Sequence, residues 1–224
     1  MIQNGSKALK FVEDLHDKVY EQFLEEISTL KKYIQNHGKD PKVEFKPWNF
    51  RYWAQKQKKE LYNIDDEKLK QYFIREKVFN GIFEIVKRIF NVSINIVPTF
   101  VPSKGDTNEH LNEIEVWDKN VMYFEVSDIQ TNKKIGGIYV DLYARKNKRC
   151  GSWMEQIVYG DIEKGIPHIA VLNSNMREPH EDEPALLSHG CVEYILHELG
   201  HCLHVILYKG SIKSLSALEA PFDF

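Results

Sequence analysis

The sequence predicts a mainly α-helical fold carrying a small antiparallel β-sheet. Three observations predict it. Apolar residues step by threes and fours from Leu9 to Ile34, the spacing of one helix face. Between Ser93 and Leu172 the pattern changes to short runs rich in Val, Ile, Tyr and Phe, the composition of strands. From His189 helical spacing returns through Val192, Ile195, Leu196, Leu199, Leu203 and Ile206.

Taken in order, Leu9, Val12, Leu15, Val19, Phe23, Ile27, Leu30 and Ile34 form the stripe of a long first helix, which Asn36-His37-Gly38 ends. The stretch 41–47 is a connector bounded by prolines. A second helix is expected over 49–61. Asp65 or Asp66 caps a short third helix. Val78, Ile82, Val86 and Ile89 mark a fourth, over 75–90. Residues 93–97 read as a strand and 98–110 as a loop. The runs 121–126 and 135–143 flank a polar stretch and read as an antiparallel hairpin. A further strand is expected over 168–172, an acidic loop over 176–184, and a last helix from about 189 to 208. Repeats, low-complexity tracts and flexible linkers are absent from the sequence. Residues 1–224 are therefore expected to form one contiguous piece: a helical segment over 1–90, the sheet over about 93–172, and a final helix with its tail over about 186–224.

Composition narrows the function classes. The chain has 224 residues, 42% hydrophobic and 28% charged, with a formal net charge of −3. That is globular composition. A weakly acidic balance gives no electrostatic case for a nucleic-acid partner or an anionic membrane. No apolar run reaches the ~18–20 residues of a membrane helix. Cys150, Cys191 and Cys202 form no CxxC pair, and a sparse, odd count fits a reducing compartment. The first residues carry no secretory pattern. The expected location is cytoplasmic, or mitochondrial if the natural N-terminus lies upstream.

The chemistry is concentrated at His197-Glu198-Leu199-Gly200-His201. Positions i and i+4 share a helix face, so two imidazoles there can hold one Zn²⁺ at ~2.0–2.1 Å. Glu198 then sits beside the ion, placed to take a proton from water. A chance HExxH is expected only about 0.03 times in a chain of this composition. A catalytic zinc site needs a third protein ligand. His204 is seven residues from His197, ~10.5 Å along a helix axis, so both cannot meet one ion. His204 is read as packing beside the site. Glu219 lies 18 residues after His201, enough chain for a return. On spacing alone it competes with an ordinary solvent-exposed Glu near a chain end.

These residues resemble the thimet oligopeptidase and oligopeptidase A family of zinc metallopeptidases. The run 186–204, LLSHGCVEYILHELGHCLH, is similar to the family's helix around HEFGHALH. Leu218-Glu219-Ala220-Pro221 resembles its third-ligand segment. Tyr139-Val140-Asp141-Leu142-Tyr143-Ala144-Arg145, with Lys148, Gly151 and Trp153, resembles the strand and turn before its active site. Pro47-Trp48 and the helix pair over 72–90 also fit. The resemblance implies a zincin-like catalytic core, here incomplete, with one Zn²⁺ per chain held by His197, His201 and Glu219. Glu198 would be the general base and proton shuttle. Short unfolded peptides would be the substrates, cleaved in a channel between two helical halves.

Two departures matter. Where the family carries a Glu that could complete a capping box, this chain has Cys191; Gly190 replaces an acidic residue and lowers helix propensity. Ser188 remains as an N-cap. No Tyr or His follows Tyr208, whereas the family supplies a Tyr and a His to the oxyanion beyond this point. Little turnover is expected from these 224 residues alone. The competing readings are a degenerate relative that binds zinc or peptide without turnover, and a helical interaction domain with an accidental HELGH. The stretch 139–145 is expected as a strand near the cleft, with Asp141 and Arg145 paired or solvated.

Overall fold

A computed structural model describes residues 4–38, 45–103, 110–161, 164–180 and 183–210. The chain divides into two compact units, one ending at Asp65 and one beginning at Asp66.

The first unit is a pair of helices. Helix α1 spans Gly5–His37, and the Asn4 side chain accepts the Lys7 amide at its start. Helix α2 spans Phe50–Tyr62 and ends on Asn63 in the left-handed region, φ 53°. Leu30, Ile34 and Trp53 are the buried contact, with Tyr33, Phe45 and Ala54 packed around it. The Tyr33 hydroxyl donates to Glu60 at 2.7 Å, which with burial holds the phenol pKa above its ordinary value. The expected stripe of α1 is therefore used only at its C-terminal end. Leu9, Val12, Leu15, Val19 and Phe23 are all about half exposed.

The second unit holds the sheet. Helix α3 spans Asp66–Leu69, followed by a 3₁₀ turn over Lys70–Tyr72; helix α4 spans Arg75–Phe90. The strands are β1 Val92–Val97, β2 Thr99–Phe100, β3 Ile114–Glu115, β4 Met122–Asp128, β5 Lys134–Tyr143, β6 Trp153–Val158 and β7 His168–Met176. Helix α5 closes the described chain at His189–Ile206. Five strands form one sheet in the order β1-β4-β5-β7-β6; β2 and β3 form a separate parallel pair. The β4–β5 hairpin is antiparallel, as its two flanking runs predict.

The sheet is mixed, which corrects the expected antiparallel sheet. Strands β5 and β7 are parallel, because β6 lies between them in sequence yet pairs on the far edge of β7. A parallel pair needs such a crossover. β5 lies between β4 and β7 and is buried along nearly its whole length. Its core-facing residues Ile138, Val140 and Leu142 pack with Phe79, Ile82 and Val86 of α4 and Ile195, Leu199 and Ile206 of α5. At Gly136 an added Cβ would stand 2.6 Å from Ile206, so the glycine lets α5 approach the strand. Backbone bonds from Arg75 to Ala185 and from Leu187 to Phe73, both 2.8 Å, tie the start of α4 to the segment leading into α5.

Among the described residues, no helix is long and apolar enough to cross a membrane.

Candidate metal centre

Helix α5 begins where the residues dictate. The Ser188 hydroxyl accepts the Cys191 amide at 3.2 Å, an N-cap bond, and itself donates to the Cys191 sulfur at 3.1 Å. The apolar face, including Ile195, Leu199, Cys202, Leu203 and Ile206, is buried. That burial fixes the rotation of the helix. It turns His197 and His201 outward together, and both are exposed.

The two rings stand 83° apart in plane with centroids at 4.7 Å. Their Nε2 atoms are 3.1 Å apart. Two nitrogens bound to one zinc at ~2.0–2.1 Å with a tetrahedral angle stand about 3.3 Å apart. The pair therefore fits a shared ion with a shift of a few tenths of an ångström. Glu198, next to His197 in the chain, is 7% exposed and lines a depression with it. Next to it Cys202 is fully buried, and burial followed by the Glu198 charge pushes its thiol up to about 12. Cys202 is thus an uncharged packing group. Glu219 lies outside the described residues. Among the described residues no group of three His, Cys, Asp or Glu comes together.

Two depressions flank the pair, and His197 borders both. One, of about 660 Å³, is lined by Ser152, Ser174, Asn175, Tyr194, His197 and Glu198 among others. Its wall is held rigid: the Ser152 and Ser174 hydroxyls are 3.0 Å apart, and the Asn175 amide donates to the Arg149 and Gly151 carbonyls, both at 2.7 Å. The other, of about 840 Å³, is more apolar and runs past Phe90, Gly200, Leu203, His204 and Tyr208. His204 lines this depression together with His197 and His201. Ser152, Ser174 and Asn175 carry no motif in the sequence. Ser174 and Asn175 reach the site on β7, which packs against α5, and Ser152 through the pairing of β6 with β7, neither of which periodicity revealed.

The stretch 139–145 is a strand through Tyr143, as expected. Asp141 is paired rather than solvated. Its carboxylate accepts two bonds from Arg145 at 2.7 Å each, one from Lys148 at 2.8 Å and one from the Trp117 indole at 2.9 Å. Burial raises its pKa, but these donors outweigh burial and hold it below the ordinary carboxylate range. Lys148 also donates to the Asp141 and Tyr143 carbonyls. Burial pulls its pKa down despite the adjacent carboxylate. The cluster is structural: it locks the turn after β5 and contributes nothing to the lining of either depression.

The chain is 34% identical over 231 residues to oligopeptidase A of Escherichia coli (strain K12), covering 100% of this chain and 31% of that protein. It is 28% identical to the organellar oligopeptidase A, chloroplastic/mitochondrial, of Arabidopsis thaliana, over 97% of this chain and 28% of that protein. To saccharolysin of Saccharomyces cerevisiae it is 27% identical, over 100% of this chain and 32% of that protein. It thus spans about a third of the length of these relatives. The model of Peptidase family M3 matches residues 1–224, and the chain belongs to that family.

Proposed function

We propose that this chain carries the metal-binding and proton-transfer residues of a zinc peptidase that hydrolyses short peptides. The observation that carries this reading is the pair of Nε2 atoms at 3.1 Å on an exposed helix face, with Glu198 buried beside them. The names of the relatives, oligopeptidases among them, support the substrate class. In this reading the five-stranded sheet with α5 is a zincin-like core. The whole protein acts in the cytoplasm or in mitochondria.

His197 and His201 would hold the ion as neutral imidazoles, with Glu219 as the third ligand. An ion held by these residues would supply Lewis-acid chemistry, polarising a carbonyl and lowering the pKa of water to about 7. Glu198 takes a proton from the attacking water on its carboxylate and delivers it to the leaving nitrogen. Its burial keeps that carboxylate out of bulk solvent, where a proton would be lost to water. Tyr194 and the Ser152–Ser174 wall bound the space in which a peptide would lie.

The test is zinc content by elemental analysis after dialysis. One zinc per chain is expected, lost in His197→Ala, His201→Ala and Glu219→Ala. Cleavage of a quenched fluorogenic peptide should be abolished by a chelator in any form that turns over. A wild-type chain that retains no zinc, or a His197→Ala chain that retains it fully, overturns the reading.

A further inference from the structure

The depression of about 660 Å³ beside His197 has a one-sided charge. Among the described residues that line it there is no Lys or Arg, and two carboxylates, Glu193 and Glu198. Nearby arginines are turned to other partners. The Arg149 guanidinium lies over the Trp153 ring at 5.3 Å, and Arg177 stands 3.1 Å from the His180 ring. Glu193, His197 and His201 follow one another at four-residue steps on α5. They therefore share one face, about 6 Å apart along the axis. Glu193 meets His189 at 3.3 Å, but both side chains are about two-thirds exposed, at 67% and 68%. The carboxylate thus stays open to a visitor. Tyr194, beside it, is 59% exposed and lines the same depression. Met176 and Cys191 add an apolar patch.

We propose that Glu193, with Tyr194 beside it, selects peptides that carry a basic side chain, Lys or Arg, within two residues of the scissile bond. This rests on the peptidase reading above and narrows the substrate class of that site. An extended peptide turns side chains to the same side every second residue, about 6.6–6.8 Å apart. That repeat matches the one-turn step from His197 to Glu193. A residue held by its carbonyl at the imidazole pair therefore brings a side chain to the level of Glu193. A guanidinium or ammonium head donates to the carboxylate there, while its stem lies along the Tyr194 ring. An acidic side chain would meet like charge with no cation in the lining to offset it. Glu198 belongs to the proton transfer, so Glu193 is the carboxylate left to read the substrate. It touches no reacting atom and is a specificity residue.

The test uses the full 224-residue chain loaded with zinc. The probes are short fluorescent peptides ending in a hydroxamate, which anchors them at the ion. The second residue from the anchor is Arg, Met or Glu, and a second series carries the anchor at the opposite end. In one of the two series Arg should bind about three- to fivefold tighter than Met, the upper range for an exposed ion pair, and Glu weaker than Met. The gap should shrink at high salt. Glu193→Gln keeps a good helix former; it should bind zinc and the Met peptide as wild type does and lose the discrimination. Glu193→Lys should reverse it. Arg, Met and Glu peptides bound alike in both series overturn the preference, as does an Arg preference that persists in Glu193→Gln. Zinc lost in Glu193→Gln overturns a role confined to the substrate. A zinc-loaded wild-type chain that fails to bind acetohydroxamate, the anchor alone, overturns the zinc reading and the preference with it, so the two failures are told apart.

Discussion

Glu198 and Asp141 are both buried carboxylates, and their surroundings give them opposite tasks. Asp141 accepts four side-chain hydrogen bonds from Arg145, Lys148 and Trp117. A carboxylate so saturated has no lone pair free for chemistry. Asp141→Asn is expected to cost about 3–5 kcal/mol, the scale for breaking a buried pair, because the buried Lys148 loses its counter-charge. Denaturant unfolding measures it. The sign in pH follows from the lowered pKa. The stabilisation is complete above the unfolded carboxylate value near ~3.9 and is lost as pH falls below it through the folded value. Asp141→Asn should therefore flatten the acid limb of stability. Glu198 is the opposite case, adjacent to the imidazole pair and lining the depression. Glu198→Gln is nearly isosteric, so α5 and its zinc should persist while proton transfer fails. Hydrolysis should fall by about 10²–10⁴-fold in a form that turns over. Retained turnover would show that another group is the base.

Helix α5 is where the sequence was most legible. Its start at Ser188, the burial of its apolar face and the exposed i, i+4 histidines all follow from residue spacing. Its two weak points are testable. Ser188→Ala removes the bond to the Cys191 amide and should destabilise by about 1 kcal/mol. Gly190→Ala should stabilise by about 0.5–1 kcal/mol, because an added Cβ would meet nothing nearer than the Ser188 hydroxyl at 4.0 Å. Thermal unfolding of the two variants should move in opposite directions; a loss of stability in Gly190→Ala would mean the glycine serves a contact not seen here. α1 and α4 were legible for the same reason, a clear period, and β1, β4, β5 and β7 from runs rich in Val, Ile, Tyr and Phe. β6 was not. It is an edge strand with three of its six residues exposed and the polar pair Glu155-Gln156 at its centre, so neither alternation nor an apolar run marks it. The parallel pairing of β5 with β7 was hidden too. It is a property of the crossover through β6 rather than of any local pattern, and only a three-dimensional arrangement reveals it.

At the scale of the molecule, every residue assigned to the candidate centre belongs to the second unit. Both depressions are lined by residues beyond Asp66. Among its described residues the first unit keeps a core of three buried residues and exposes much of the apolar stripe of α1. That stripe was readable as a helix face, but its exposure was not, since periodicity says which residues share a face and nothing about what covers it. Zinc should then stabilise one unit and not the other. A ligand bound only by the folded form adds RT ln(1 + [L]/Kd), about 2.7 kcal/mol at a hundredfold excess over Kd. For a unit of roughly 150 residues that is about 5–10 °C in unfolding temperature. Stripping zinc with a chelator should lower the transition of the second unit by that amount, while tryptophan and circular-dichroism signals from a peptide of residues 1–65 stay unchanged with and without metal. His197→Ala and His201→Ala should each remove the shift in the whole chain. A chelator-induced shift that survives both substitutions would place the stabilising metal elsewhere in the molecule, and a shift in the 1–65 peptide would place it in the first unit.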